Sequence, residues 1–193
     1  DLQQALQWEA KDRFGFEIGE GRIVWFRAGE VRRGTEVKDE LLLFAAEGST
    51  LTGQLDAAAH AGLLVKAIDI APCACYRSAC RAGFSQPVAG ESLALLHIGH
   101  ATSQFIIVRN DQLVFFKHVE FGGATIDSAV AQKLGISVLE AGQMRLRLGT
   151  SESAGEGAAP LQQALQDAIR PLMEELAREL DMCMRYFVVT FRG

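Results

Sequence analysis

A turn of small and hydroxyl-bearing residues between two apolar runs is the first place where this sequence could do chemistry. The flanking runs are Leu93–Ile98 and Gln104–Val108, which read as buried strands. A glycine-containing turn in this setting leaves backbone N–H groups facing outward, where they can bind a phosphate. The pattern therefore predicts a phosphate-binding turn, whose residues are Gly99, His100, Ala101, Thr102 and Ser103.

A hairpin and a glycine pair follow this turn. The third apolar run is Leu113–Val119, and Asn110-Asp111 joins it to the second run, because these residues tolerate the left-handed backbone of a two-residue turn. The pair Gly122-Gly123 closes the unit. Thr125 then reads as the N-cap of a helix that ends at Gly135.

Two other kinds of site are weaker. His97 and His100 are three residues apart and His118 is on a nearby strand, but no cysteine or carboxylate converges on them, so no metal site is predicted. Three cysteines fall within eight residues without a histidine or aspartate at a motif spacing. We expect packing roles and reduced thiols for them, and no catalytic residue is assigned.

The first third of the chain reads as a small α+β unit. Helix Leu2–Phe14 precedes strand Arg22–Arg27, and the polar stretch Gly29–Asp39 reads as a hairpin connection to the returning strand Glu40–Ala46. A helix capped by Ser49 or Thr50 then ends at Gly62. The expected elements that follow are strand Val65–Ile70, a helix from Pro72 to Ala82 and the linker Ser85–Gly90.

The last third is predicted to be helical. Ser137 and Glu140 form a capping box for one helix, and an apolar stripe from Leu161 to Phe187 predicts a longer one. Pro171 should kink this helix or divide it into two. The stretch Thr150–Ala159 is rich in Ser, Gly, Ala and Glu and is predicted to be mobile.

These motifs together resemble the FtsA/PilM family of actin-like proteins, and most closely its cytoplasmic PilM members, which act in type IV pilus assembly. The turn with Gly122-Gly123 resembles the second phosphate loop of the actin-like ATPases. The other matching segments are Leu6-Gln7-Trp8-Glu9-Ala10, Ala61-Gly62-Leu63, Ala67-Ile68-Asp69-Ile70, Cys73-Ala74, Leu134-Gly135-Ile136-Ser137 with Glu140-Ala141, and Arg185-Tyr186-Phe187.

The resemblance implies a partial two-lobed actin-like (ribonuclease H-like) α/β fold. Residues 1–64 would be the α+β subdomain (SHS2-like) that this family inserts, residues 65–90 a return to the first lobe with a linker, and residues 91–193 the second lobe. The chain begins with Asp1 rather than Met, so we expect a fragment or a degenerate member.

The resemblance also implies a nucleotide cleft, with ATP and Mg²⁺ as ligands of a longer parent chain. The residues implied in nucleotide binding are those of the Gly99–Ser103 turn with Gly122, Gly123 and Arg145. Two departures weaken the site, since His97 stands where the family has Asp and Gly142 where it has Glu. Imidazole suits Mg²⁺ poorly. We therefore expect a degenerate ATPase rather than an active one.

The resemblance finally implies a groove for the N-terminal cytoplasmic tail of a PilN-like inner-membrane protein. Its expected residues are Ile23, Trp25, Phe26, Leu42, Phe44, Ile68 and Ile70, with Trp8 as a further anchor. This predicts a cytoplasmic scaffold at the inner membrane that also contacts other pilus assembly proteins. The alternatives are an active actin-like ATPase of the same fold, and an adaptor of type II secretion or cell division.

Composition argues against two other kinds of partner. The net charge is −5 and the basic residues are scattered, so we expect no nucleic-acid partner. No apolar run approaches the roughly 20 residues that span a bilayer, so direct membrane insertion is not expected.

Overall fold

The computed structural model describes residues 2–14, 23–84, 88–149 and 159–191. It is a mixed α/β structure whose contacts divide it into two compact units. The first unit combines Asp1–Leu93 with Ile107–Phe116, and the second combines Ala94–Ile106 with Lys117–Gly193. The predicted boundaries after residues 64 and 90 stay a prediction.

A helix and a two-stranded ribbon begin the first unit. Helix α1 spans Leu2–Phe14, as predicted. Strands β1 (Ile23–Arg33) and β2 (Glu36–Ala45) pair antiparallel from Ile23 with Ala45 to Arg33 with Glu36.

The hairpin predicted over Gly29–Asp39 is confirmed, but its connection is shorter than expected, because the ribbon continues through this polar stretch. The register shifts between Arg27 and Gly29, and Gly29 has a φ of 155° that glycine adopts readily. An ion pair of 2.6 Å between Arg27 and Asp39 links the two exposed strands. Cross-strand pairing of polar residues thus extends the strands, and the turn needs only Gly34 and Thr35.

Two helices complete this part of the first unit. Helix α2 spans Gly48–His60 and helix α3 spans Ala71–Arg81, with Pro72 in its first turn as predicted. The N-cap of α2 is Glu47 rather than Ser49 or Thr50. Residues 63–70 form neither helix nor strand, so the predicted strand Val65–Ile70 was wrong. Apolar composition favours a strand only where a neighbouring strand offers hydrogen bonds, and none pairs here among the described residues.

A three-stranded sheet forms the predicted hairpin region. Its strands are β3 (Ser92–Ile98), β4 (Ser103–Arg109) and β5 (Gln112–Val119), in the order β3-β4-β5. Asn110 and Asp111 have φ values of 50° and 61°, which confirms the predicted two-residue turn. The middle of β4 is buried from Phe105 to Val108.

Three helices build the second unit. They are α4 (Gly123–Leu134), α5 (Val138–Gly149) and α6 (Ala159–Phe191). The N-cap of α4 is Gly122, so the prediction of Thr125 as N-cap was wrong; Thr125 Oγ1 instead accepts a 3.4 Å bond from the Gly122 N–H.

The helix termination at Gly135 is confirmed, because Gly135 adopts the left-handed conformation at the end of α4. The capping box is also confirmed. Glu140 Oε2 accepts a 2.9 Å bond from the Ser137 N–H, and Ser137 Oγ accepts a 3.2 Å bond from the Glu140 N–H.

Helix α6 has 33 residues and contains Pro171 without being divided. Of the two expected effects of Pro171, the division was wrong and the kink stays a prediction. The stretch Thr150–Ala159 lies outside the described residues except for Ala159, and residues 85–87 of the predicted linker lie outside them as well. Among the described helices, none is long and apolar enough to cross a membrane. The core of the second unit packs α4, α5 and α6 together through Val130, Ala131, Ala141 and Leu165, and buries Val119 and Phe121 with Leu176.

Candidate functional site

The turn after β3 lies directly against the first turn of α4. The Gly123 N–H donates a 2.9 Å bond to the Gly99 carbonyl, and the Ala124 N–H donates a 2.8 Å bond to the His100 carbonyl. The predicted nucleotide-binding turn and the Gly-Gly pair are therefore brought together. These bonds also use two N–H groups at the N-terminus of α4, which would otherwise face an anion.

Glycine is required here by close packing. A Cβ atom at Gly122 would lie 2.3 Å from the His100 carbonyl oxygen, and one at Gly99 would lie 2.6 Å from the Thr102 carbonyl oxygen. Both distances are too short for any side chain. The two glycines therefore let the turn and the helix approach each other, whether or not a ligand binds.

Ser103 is directed into the protein. Its side chain is fully buried, and its Oγ donates a 2.6 Å bond to the Phe121 carbonyl. This bond ties the start of β4 to the residue before the Gly-Gly pair. Its hydroxyl is thus used within the unit.

Arg145, the remaining predicted nucleotide contact, is held by Asp127. Arg145 Nε and Nη2 donate bonds of 2.6 Å and 3.0 Å to the two carboxylate oxygens of Asp127, which is 6% exposed. These hydrogen bonds raise the pKa of Arg145. The Arg145 Nη2 atom would lie 3.1 Å from a Cβ at Gly123, so the guanidinium is at the entry of α4.

Gly142 makes room for this ion pair. A Cβ at Gly142 would lie 3.2 Å from Asp127 Oδ2, so any larger residue here would press on the Asp127 carboxylate. The sequence departure at Gly142 and the Asp127–Arg145 pair therefore belong together.

Several groups at the site implied for ATP and Mg²⁺ already have partners within the protein. The N–H groups of Gly123 and Ala124, the Ser103 hydroxyl and the Arg145 guanidinium all have partners within the protein, so a phosphate would have to displace them. Within the described ranges, no group of three or more His, Cys, Asp and Glu side chains could hold a metal ion. The nucleotide-binding role of these residues stays a prediction.

A cavity of about 640 Å³ lies within the first unit, and we call it the aromatic cavity. β1, α3 and the β4–β5 hairpin supply its walls. Its lining residues are Trp25, Phe26, Arg27, Pro72, Cys73, Tyr76, Arg77, Val108, Asp111, Gln112 and Leu113. The volume is that of a site for a small ligand or for one to a few side chains of a peptide.

Only part of the predicted peptide-binding set lines this cavity. Trp25 and Phe26 do so, and Trp25 is 44% exposed. Phe44 packs behind them, with its ring 6.0 Å from that of Phe26 and 5.4 Å from that of Phe116. The other predicted residues, Ile23, Leu42, Ile68 and Ile70, are not among the lining residues. The peptide-binding role of the whole set stays a prediction.

Sequence reasoning missed the polar groups of the aromatic cavity. The Tyr76 hydroxyl donates a 2.6 Å bond to Asp111 Oδ1, which links α3 to the hairpin turn. Burial, followed by this hydrogen bond, raises the pKa of Tyr76. Burial also raises the pKa of the Cys73 thiol, which disfavours a reactive thiolate. Tyr76 and Asp111 are 35 residues apart, so no local pattern relates them.

The mixed α/β structure has the actin-like fold of a solved relative. The structure is similar to a solved chain described as "PilM-PilN type IV pilus biogenesis complex", with a TM-score of 0.67 and 22% sequence identity. The alignment covers 97% of this chain and 51% of the solved chain, so this chain spans about half the length of that relative. A search of curated proteins gives no significant match.

The family model described as "Type IV pilus assembly protein PilM" matches residues 1–191. The chain therefore belongs to the PilM family of type IV pilus assembly proteins. The resemblance drawn from the sequence and its implied fold class are confirmed by the family match and the structural similarity.

Proposed function

We propose that this chain is a scaffold of the type IV pilus assembly complex that binds the cytoplasmic tail of a PilN-like inner-membrane protein. The aromatic cavity is the observation that carries this proposal. It combines an accessible indole, Trp25, with apolar residues of β4 and β5, and such surfaces anchor extended peptides. A solved relative whose description pairs PilM with PilN supports the choice of partner.

The proposal includes a place in the cell. A chain that binds the cytoplasmic tail of a membrane protein would lie in the cytoplasm, peripheral to the inner membrane. Other pilus assembly proteins would join the same complex through surfaces away from the cavity.

The nucleotide cleft is, in this proposal, degenerate. The hydrogen bonds that use the N–H groups of Gly123 and Ala124 support it, as does the Asp127–Arg145 pair. The turn and helix α4 would then be structural parts of the scaffold. Tight binding of ATP with Mg²⁺ that depends on Arg145 would favour the alternative, an actin-like ATPase.

The test is calorimetric titration of the chain with a synthetic peptide of the tail of its PilN-like partner. We expect micromolar binding to the natural sequence and at least a tenfold loss with Trp25→Ala, because exposed aromatic anchors dominate such interfaces. Phe84→Ala is the control, since Phe84 is an 84% exposed aromatic residue that is not among the lining residues.

Either of two outcomes would contradict the proposal. One is the absence of peptide binding under conditions in which the chain is folded. The other is equal loss of affinity in the Trp25→Ala and Phe84→Ala variants, which would show that the indole in the aromatic cavity has no special part in binding.

A further inference from the structure

We propose that the aromatic cavity prefers a segment in which a cationic side chain lies next to an apolar anchor, and that Asp111 is the counter-ion of that cation. This inference rests on the proposed function, because it names the chemistry of the segment that the same cavity would bind. It follows from how the charged groups around the cavity are already paired.

Three lining residues are charged, and both cations among them have partners. Arg27 lies 2.6 Å from Asp39 and 2.8 Å from Glu30. Arg77 forms an ion pair with Asp69. An acidic ligand would therefore compete with three carboxylates of the protein for these two guanidinium groups.

Asp111 differs from the two arginines because its described partner is neutral. The Tyr76 hydroxyl donates to Oδ1 over 2.6 Å, and a phenol orients a carboxylate without neutralising it. Counting these partners, four carboxylates face two guanidinium groups at the cavity. Among the charged lining residues and their ion-pair partners, carboxylates therefore outnumber guanidinium groups, in a chain whose net charge is −5.

The Asp111 carboxylate is also held in place. Asp111 has a φ of 61° in the two-residue turn, and its neighbour Asn110 accepts a 2.9 Å bond from the Gly90 N–H. The turn is thus attached on one side to α3 through Tyr76 and on the other to the segment before β3. A positioned carboxylate loses little freedom when a cation binds, which favours binding.

The preference for an apolar anchor next to the cation follows from the apolar residues in the cavity walls. Trp25 and Phe26 lie on β1, while Val108 and Leu113 flank the turn that carries Asp111. An apolar side chain in contact with these residues would place an adjacent cationic group near the carboxylate. The indole of Trp25 adds a face that attracts cations.

Two small molecules test the inference without any assumption about the partner. Tryptamine and indole-3-propionate carry the same indole on a short arm, with an ammonium or a carboxylate at its end. In NMR titrations we expect tryptamine to bind about three- to fivefold more tightly, as solvent-exposed charge pairs allow. Asp111→Asn should remove this preference, and added salt should weaken it.

The matched control is Asp56→Asn, which removes an exposed carboxylate on α2 that does not line the cavity. It should leave the preference unchanged. An equal affinity for the two compounds, no binding of either, or an equal effect of both substitutions would each overturn the inference.

The tail peptide separates this inference from the proposed function. If the peptide binds, and neither Asp111→Asn nor Asp56→Asn changes its affinity, the inference fails and the proposed partner stands. If the peptide does not bind while tryptamine shows the Asp111-dependent preference, the partner assignment fails and the charge preference of the cavity stands.

Discussion

Arg145 of α5 donates two hydrogen bonds, of 2.6 Å and 3.0 Å, to the carboxylate of Asp127 on α4. This two-pronged ion pair joins neighbouring helices of the second unit beside Gly123, where the sequence alone suggested a nucleotide contact. The guanidinium group that was predicted to contact a nucleotide thus forms a salt bridge between α4 and α5.

Asp127→Asn should destabilise the chain by about 1–3 kcal/mol, because a partly buried guanidinium loses its charged partner. Urea unfolding monitored by circular dichroism measures this. The matched control is Asp181→Asn, which removes the exposed pair with Arg185 on α6 and should cost less than about 0.5 kcal/mol. Equal losses in the two variants would show that the Asp127 pair is no stronger than a surface pair.

Two glycine substitutions should change stability in opposite directions. Gly135 ends α4 with a φ of 68°, so Gly135→Ala should cost about 1 kcal/mol from left-handed strain. Gly53 lies inside α2 with open space around it, so Gly53→Ala should stabilise by about 0.5–1 kcal/mol. Thermal unfolding of both variants checks this, and a shift of the same sign in both would contradict the assigned backbone roles.

The capping box at the start of α5 should make stability depend on pH on the acidic side. Hydrogen bonds from Ser137 lower the pKa of Glu140 below its ordinary value of 4.5. Because the pKa of Glu140 is lower in the folded chain than in the unfolded chain, the carboxylate stabilises the fold at pH values above its unfolded pKa. This contribution is lost as the pH falls through the folded pKa. The natural chain should therefore melt higher than Ser137→Ala at neutral pH, and the difference should shrink below about pH 4.5. A difference that is constant with pH would contradict this.

Tyr76 should have the opposite effect on the alkaline side. Its pKa is raised above the ordinary value of 10.0, by burial first and then by the bond to Asp111. Because the pKa of Tyr76 is higher in the folded chain than in the unfolded chain, the neutral phenol stabilises the fold at pH values below its unfolded pKa. This contribution is lost as the pH rises through the folded pKa. The stability advantage of the natural chain over Tyr76→Phe should fall above about pH 10 in urea unfolding series. An advantage that grows with pH would show that the phenol is ionised in the fold.

Local sequence patterns predicted the elements that local physics controls. The helix Leu2–Phe14 and the turn at Asn110-Asp111 depend on residues close in sequence, and both are confirmed. The strand expected at Val65–Ile70 was wrong, because a strand depends on a neighbour that no local pattern supplies. The strand residues within Gly29–Asp39 were missed because their polar composition is weak for a strand, whereas pairing with the opposite strand stabilises them there.

The sequence predicted those parts of the candidate sites that form local motifs, and missed the contacts between distant residues. The glycines at positions 99, 122 and 123 were found from their motif, and the structure brings them together. The partner of Arg145 was missed because Asp127 is 18 residues away on another helix. The link between Tyr76 and Asp111 spans 35 residues and was missed for the same reason. In both sites the polar groups pair with residues far away in the sequence, and such pairs can be identified only once the fold is known.

The central claim is that the aromatic cavity binds the tail of a PilN-like protein. Hydrogen–deuterium exchange of the chain with and without the synthetic tail peptide tests it most directly, because it locates the bound segment. We expect the peptide to slow exchange in Ile23–Arg27, in α3 and in Val108–Leu113, and to leave the Gly99–Ser103 turn, Gly122-Gly123 and α5 unchanged. Slowed exchange confined to the Gly99–Ser103 turn, Gly122-Gly123 and α5, or no change at any segment at saturating peptide, would contradict the claim.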